Sequence, residues 1–333
     1  MSHRPRLSRD RIASAAAAPA RAVGPEAQTP PSKARAAGLS IFSNSLLIVL
    51  KLIAGGITGS IAIITEAVHS SIDLIASIVA FYSVRKADQP ADEDHPYGHQ
   101  KVENLAAVIE GMLILVGAAI IVFESIRRLF SSFEVESLGV GIAVIAFSMV
   151  ANIGVSTFLY RRARATDSPA LEADAAHLRT DAMTSGGVLV GLVLVQVTGI
   201  EQFDPATALL VAGAIVYAGV RILNRSSRVL VDEALPPDEL AAVAKAIEDY
   251  GAAEVVGFHK LRARRAGSRR YVDLHVQFRD GTSLSRAHEV SHELQHAIRE
   301  RLRGADVLIH LEPEDAGSGE VYGSREPHGE QDP

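Results

Sequence analysis

Residues 286–298, RAHEVSHELQHAI, contain His-Glu-x-x-His twice with one imidazole shared: His288 to His292, then His292 to His296. On a helix, positions four apart lie one turn above each other, so each repeat offers two imidazoles to one ion beside a glutamate. That is the ligand-and-base arrangement of zinc peptidases. Two other stretches offer a different chemistry. IAIITEAVHSSIDLIAS places Glu66, His69 and Asp73 on one helix face, and EADAAHLRTDAMTSGG places Asp174, His177 and Asp181 at the same spacing. Two imidazoles and two carboxylates, His69 and Asp73 from one helix with His177 and Asp181 from another, make the four-coordinate nitrogen–oxygen set that zinc prefers. The competing reading is polar glue, in which the two helices simply pair their charged groups.

The elements that carry these residues read as membrane spans. The chain has 333 residues, 48% of them hydrophobic and 22% charged, so its apolar residues must be segregated. Six segments, near 38–58, 61–84, 104–124, 138–160, 183–200 and 205–223, approach the roughly 20 apolar residues that a crossing takes. An ionisable residue at a span centre costs about 2.5–3.5 kcal/mol on insertion scales. Two spans that each carry His-x-x-x-Asp are therefore difficult to explain without a function. Ala67, Ser70, Ser71, Ala182, Ser185, Gly186 and Gly187 are small enough to let the two helices approach.

Arg85, Lys86, Lys101, Arg161, Arg162, Arg164, Arg221, Arg225 and Arg228 all fall on one side of this arrangement, and the opposite loops GGITGS and TGIEQFDPA carry no Lys or Arg. The positive-inside rule then puts both termini in the cytoplasm. Arg127 and Arg128 dissent, partly offset by Glu124, Glu134 and Glu136. Cysteine is absent, so there is neither a disulfide framework nor a thiolate site. Imidazole and carboxylate suit zinc, iron(II), nickel, cobalt or manganese better than copper(I). A net charge of −6 argues against a nucleic-acid partner.

From Pro236 the pattern is that of a soluble domain. PPDELAAVAKAIEDYG predicts a helix ending at Gly251. AEVVGFHKLRARR and RRYVDLHVQFRD predict strands around a Gly-Ser turn, a helix follows over 284–303, and DVLIHLEP predicts a last strand. The α-β-β-α-β order makes a small α+β layer. The expected division is a disordered tail over 1–36, a six-helix membrane domain over 37–230, the soluble domain over 236–312 and a second disordered tail over 313–333.

The paired HSSID and HLRTD motifs, the linker DEDHPYGHQKVENLAA and the six-span plus α-β-β-α-β layout together resemble the cation diffusion facilitator family over roughly residues 38–312. The resemblance implies an α-helical membrane protein with six transmembrane helices and a cytoplasmic ferredoxin-like, metallochaperone-like domain. It implies a homodimer in the lipid bilayer of the inner (plasma) membrane that exports divalent metal, Zn2+ foremost, in exchange for protons. It implies a transport site of His69, Asp73, His177 and Asp181 and a loop site of Asp92, His95 and His99, where Pro96 and Gly98 suit a tight turn. It implies a third, regulatory Zn2+ site in the soluble domain from His259, His275, His288, His310 and Glu312. Lys101 and Asp232 match a charge pair that ties loop and soluble domain together in relatives. Glu312 stands where Asp is more usual, and many bacterial members carry Asp at the position of His69.

Other readings remain. The cargo could be Fe2+, Cd2+, Co2+ or Mn2+. A membrane metal sensor would keep the soluble sites and dispense with the intramembrane set. A His-Glu-x-x-His peptidase would need a third ligand, and the extended form would require Gly at Arg299 and His at Leu302, so no enzyme is expected.

Overall fold

The computed structural model describes residues 33–58, 61–130, 139–200 and 202–314; Glu134, Glu136 and most of both tails lie outside them. The chain divides into two units after Ser227. The first consists of six long helices: α1 (Lys33–Thr58), α2 (Ile61–Ala87), α3 (Lys101–Leu129), α4 (Gly139–Thr166), α5 (Pro169–Thr198) and α6 (Phe203–Leu230). Among the described residues, α1, α3, α4, α5 and α6 are long and apolar enough to cross a membrane by length and composition; α2 has 27 residues.

Each helix is longer than its apolar stretch. The clearest case is α5, which begins at Pro169, well ahead of the expected 183. The Ser168 hydroxyl accepts the Leu171 N–H, Pro169 occupies the first turn, and Gly199 closes the far end at φ +72°. Asp174, His177 and Asp181 therefore ride on the same unbroken helix as the apolar span. At the end of α3, Arg127 and Arg128 both pair with Glu124, which accounts for the dissenting charges within a single turn.

Large apolar side chains point outward from this bundle, among them Phe42, Ile57, Phe123, Val150, Val193, Leu210 and Tyr217. Its interior is built from small and polar residues. Ala36, Ala37, Ala106, Ala163, Ala170 and Ala175 pack with Val84, Leu159, Leu171 and Leu178. This inside-out distribution is what a lipid solvent selects, since helices then associate by close packing and not by apolar burial. The small residues have a steric role: a Cβ on Gly187 would come within 2.7 Å of Val211 on α6.

The second unit has the expected element order: α7 (Pro237–Tyr250), β1 (Val255–Ala266), β2 (Arg269–Phe278), α8 (Leu284–Arg301) and β3 (Ala305–Pro313). The sheet order is β1-β2-β3, with β1 antiparallel and β3 parallel to β2, as the α8 crossover requires. Val272, Leu274, Val276 and Phe278 from β2 meet Val243 and Ile247 of α7 and Val290, Leu294 and Ile298 of α8. These residues form a core independent of the first unit. Glu239 binds the buried Arg270 through two hydrogen bonds, of 2.7 and 3.2 Å, and also pairs with Arg265.

Candidate metal centres

Within the bundle, α2 and α5 bring Asp73, His177 and Asp181 together, with one ligand atom from each inside a 4.8 Å circle. His177 Nε2 lies 3.2 Å from Asp73 Oδ1 and 4.0 Å from Asp181 Oδ2. Asp73 and His177 are buried, and Asp181 is partly so. Helical geometry explains the pairing: His177 and Asp181 are one turn apart, and α2 packs across them. The backbone of α2 carries Glu66 and His69, whose side chains lie outside those described.

Asp174, which shares the helix face of His177 in sequence, is committed elsewhere. It is fully buried, and its Oδ1 accepts from Ser40 of α1 at 3.1 Å and Ser77 of α2 at 3.2 Å. Asn44 donates to Ser77 at 2.9 Å, so the four residues form one network. A second buried carboxylate went unnoticed in the sequence. Glu110 of α3 is fully buried, and among the described residues neither of its oxygens has a hydrogen-bond partner. The signal was available, because a glutamate inside VENLAAVIEGMLILVG bears the same insertion cost as the residues that were singled out.

The loop between α2 and α3 gathers Asp92, His95 and His99. Asp92 Oδ1 accepts the His95 N–H at 2.7 Å, and its Oδ2 is 3.2 Å from His99 Nε2. The turn closes through the Gly98 N–H, which donates to the His95 carbonyl at 2.8 Å with Gly98 at φ +87°. Desolvation pushes the Asp92 carboxyl up, but the hydrogen bonds from His95 and the nearby imidazoles outweigh it, and Asp92 ends below its ordinary value.

The third group lies on the sheet. His259 pairs directly with His275, and His275 with His310, so the three form a row across three strands. A bulge makes this possible. The β1–β2 register slips between His259 and Arg262, where Lys260 takes φ +49°. Without the slip, strict alternation would put His259 on the face of Leu261 and Ala263, which is the core face. With it, His259 joins His275 on the other face. Glu312 then bridges the two: its Oε2 is 2.7 Å from His259 Nε2 and its Oε1 is 2.6 Å from His275 Nδ1. Hydrogen bonding to His275 is the main influence holding the Glu312 carboxyl below its ordinary value, with desolvation opposing and His259 adding to the effect.

Of the two other residues expected in this third set, one lies at its margin and one outside it. His310 is largely exposed, with Nε2 3.7 Å from Glu312 Oε1, and lies at the margin of the group. His288 sits on α8 with its Nε2 facing His292, and is not gathered with His259, His275 and Glu312. Asp232 pairs with Arg264 at 2.9 Å inside its own unit.

Three groups of imidazole and carboxylate, one on helices, one in a loop and one on the sheet, invite comparison with known transporters. The family model described as the cation efflux transmembrane domain matches residues 38–231. This chain belongs to the cation efflux, or cation diffusion facilitator, family. The family's cytoplasmic domain, a dimer-forming domain, matches residues 235–314. An uncharacterised transporter of Synechocystis sp. is 37% identical over 278 residues, covering 83% of this chain and 88% of that one. The cation-efflux pump FieF of Serratia proteamaculans is 34% identical over 269 residues, covering 81% and 89%. Among solved structures, the zinc form of CzrB, described as a zinc transporter, is 31% identical over 26% of this chain and 99% of its own, at a TM-score of 0.25.

Membership makes the protein a multi-pass membrane transporter that exports divalent metal cations, with a dimer-forming soluble domain. It is a transporter family and not an enzyme family, so the repeated His-Glu-x-x-His of α8 does not mark a peptidase. The structure adds that Glu293, the would-be base of the second repeat, is hydrogen-bonded by the Tyr250 hydroxyl.

Proposed function

We propose that this cation efflux protein exports Zn2+ from the cytoplasm in exchange for protons, with both termini on the cytoplasmic side of the inner membrane and two copies forming the working unit. The observation that carries the reading is the convergence of Asp73, His177 and Asp181 inside the bundle. His69, from the same turn region of α2, is the fourth member. The cargo is the substrate, and a mixed nitrogen–oxygen set without thiolate favours zinc or cobalt over calcium or magnesium. Imidazole binds metal only when neutral, so protons and metal compete for the same ring atoms. Metal loaded from the cytosol is then released outside by incoming protons.

Asp92, His95 and His99 form a second candidate cation site at the cytoplasmic mouth. His259, His275 and Glu312, with His310 beside them, fit a regulatory Zn2+ through three converging ligand atoms. A bound metal there would join β1, β2 and β3 and favour the compact dimer. His288 enters such a site only if it is brought in from outside this cluster. Export of iron(II), cadmium, cobalt or manganese is the competing reading. A metal sensor is disfavoured because the intramembrane carboxylates would have no use. Uptake of each metal into proteoliposomes, with and without an imposed pH gradient, tests the reading. Zinc uptake that ignores the gradient would remove proton coupling, and no zinc uptake would remove the cargo assignment.

A further inference from the structure

Asp174 lies inside the bundle, one turn from His177, but its Oδ1 is turned to α1 and α2. Its side chain is fully buried, as are those of Ser40 and Ser77, and Asn44 is nearly so. Three oxygens form a triangle. Ser40 Oγ lies 2.9 Å from Ser77 Oγ and 3.1 Å from Asp174 Oδ1, and Ser77 Oγ lies 3.2 Å from the same Oδ1. Each side of the triangle is a hydrogen-bond contact and needs one proton, but the two serine hydroxyls supply only two. Asn44 adds none, because its Nδ2 donates to Ser77 Oγ from outside the triangle, at 2.9 Å. With Asp174 ionised, one pair of oxygens would therefore meet lone pair to lone pair. The other carboxylate oxygen, Oδ2, is buried and has no hydrogen-bond partner among the described residues. Among those residues, no Lys or Arg pairs with Asp174 either.

A proton on Oδ1 closes the count. Asp174 then donates to Ser77, Ser77 to Ser40 and Ser40 back to Oδ1, while Ser77 still accepts from Asn44. Oδ2 becomes a neutral carbonyl oxygen, far less costly to bury without a partner than part of a carboxylate. We propose that Asp174 is a proton-binding site of the bundle, whose ligand is one exchangeable proton held in the triangle with Ser40 and Ser77. The ionisable groups around it are few. His177 on its own helix and Glu110 of α3 interact with it. From α1 and α2 it is faced by Asn44 and the two serines, and Asp73 of α2 is turned to His177. The remaining neighbour, α4, carries no ionisable side chain before Tyr160. The bundle thus holds a proton beside the candidate cargo ligands and not on them, whichever cation is exported. The competing explanation is an ionised Asp174, with one hydroxyl proton shared between two acceptors.

The test uses the full chain, free of metal, in lipid vesicles, made by cell-free synthesis with aspartate that carries heavy carbon in its side-chain carboxyl. Infrared spectroscopy at neutral pH separates the C=O stretch of a protonated carboxyl from the bands of a carboxylate, and the label separates Asp174 from Glu110. The expected result is a protonated aspartate band that shifts when the vesicles are transferred to heavy water. The band should be lost in Asp174→Asn and should move without being lost in Ser40→Ala. Absence of a protonated aspartate band in wild type would overturn the proposal, as would a band that survives Asp174→Asn. A band unmoved by heavy water would also overturn it, by showing a proton that does not exchange. Ser40→Ala keeps the buried carboxyl, so a band that stays at its wild-type position there would refute the triangle even if Asp174→Asn failed to assemble.

Discussion

Replacing Glu312 with Gln isolates the contribution of one charge to the sheet-borne group. The side chain keeps its shape, but one oxygen becomes an NH2 and the negative charge is lost. In the native domain the two carboxylate oxygens meet His259 Nε2 at 2.7 Å and His275 Nδ1 at 2.6 Å. These are the same ring atoms that would bind metal, so a metal must first displace the protons they share with Glu312. Giving up two hydrogen bonds costs about 0.5–1.5 kcal/mol each. Removing a group that merely supports a ligand already costs about 10- to 100-fold in metal affinity. Glu312 supplies a ligand atom itself, so the expected loss is at least about 100-fold, or about 2.7 kcal/mol. Zinc titration against a chromogenic chelator, on wild type and variant, reads this directly. Thermal unfolding provides a second readout, because zinc at about 100 times its Kd stabilises the folded domain by about 2.7 kcal/mol. That stabilisation should largely vanish at the same zinc concentration. If the variant binds zinc within about threefold of wild type, Glu312 is not a ligand and the geometric argument fails.

The remaining predictions concern the bundle and the domain's stability. Asp73→Ala and Asp181→Ala should each abolish metal uptake into proteoliposomes while size-exclusion chromatography still shows intact protein; normal uptake by either variant would dismiss the intramembrane site. His69→Asp should retain transport but shift competition uptake from zinc toward cadmium and manganese, since a carboxylate adds charge and variable denticity; an unchanged metal ranking would show that His69 does not touch the cargo. Glu239→Gln should destabilise the soluble domain by up to about 3 kcal/mol in urea, because it removes the carboxylate charge paired with the buried Arg270. Desolvation raises the Glu239 carboxyl, but Arg270 and Arg265 outweigh it and hold it below its ordinary value of 4.5. The folded value is thus the lower one, so this stabilisation is present above pH 4.5 and is lost as pH falls through the folded value. A wild-type and Glu239→Gln pair whose stability difference stays constant across that window would contradict the assignment.

How far the sequence could be read depended on the kind of signal each residue left. Asp73, His177 and Asp181 stood out because charge in an apolar helix is costly, and their spacing placed them on matching faces. The same logic would have found Glu110, had single carboxylates been weighed alongside repeated motifs. Asp174 was visible but its role was not. Spacing puts it beside His177, whereas only packing reveals that Ser40 and Ser77 occupy its Oδ1. Hydropathy alone starts the fifth span near 183, because it follows the apolar run, whereas Ser168 and Pro169 set the helix start by capping. The face of His259 was hidden for a local reason. A bulge at Lys260 reverses alternation, and no rule of period two anticipates it.

At one end of the bundle, the buried Glu103 of α3 accepts from Lys33 of α1 at 2.8 Å and from the Ser168 hydroxyl that caps α5. Three helices that are far apart in sequence are thus knotted at a single point, by groups sealed from solvent. A knot of this kind resists sliding of one helix along another, because any axial shift would strand a buried charge. It tolerates tilting, since the knot stays fixed while the free ends swing. His177 and Asp181 sit further along α5 from Ser168, so a change of angle at Glu103 would displace them more than it displaces Ser168. Glu103 is therefore the point at which α1, α3 and α5 are held in axial register.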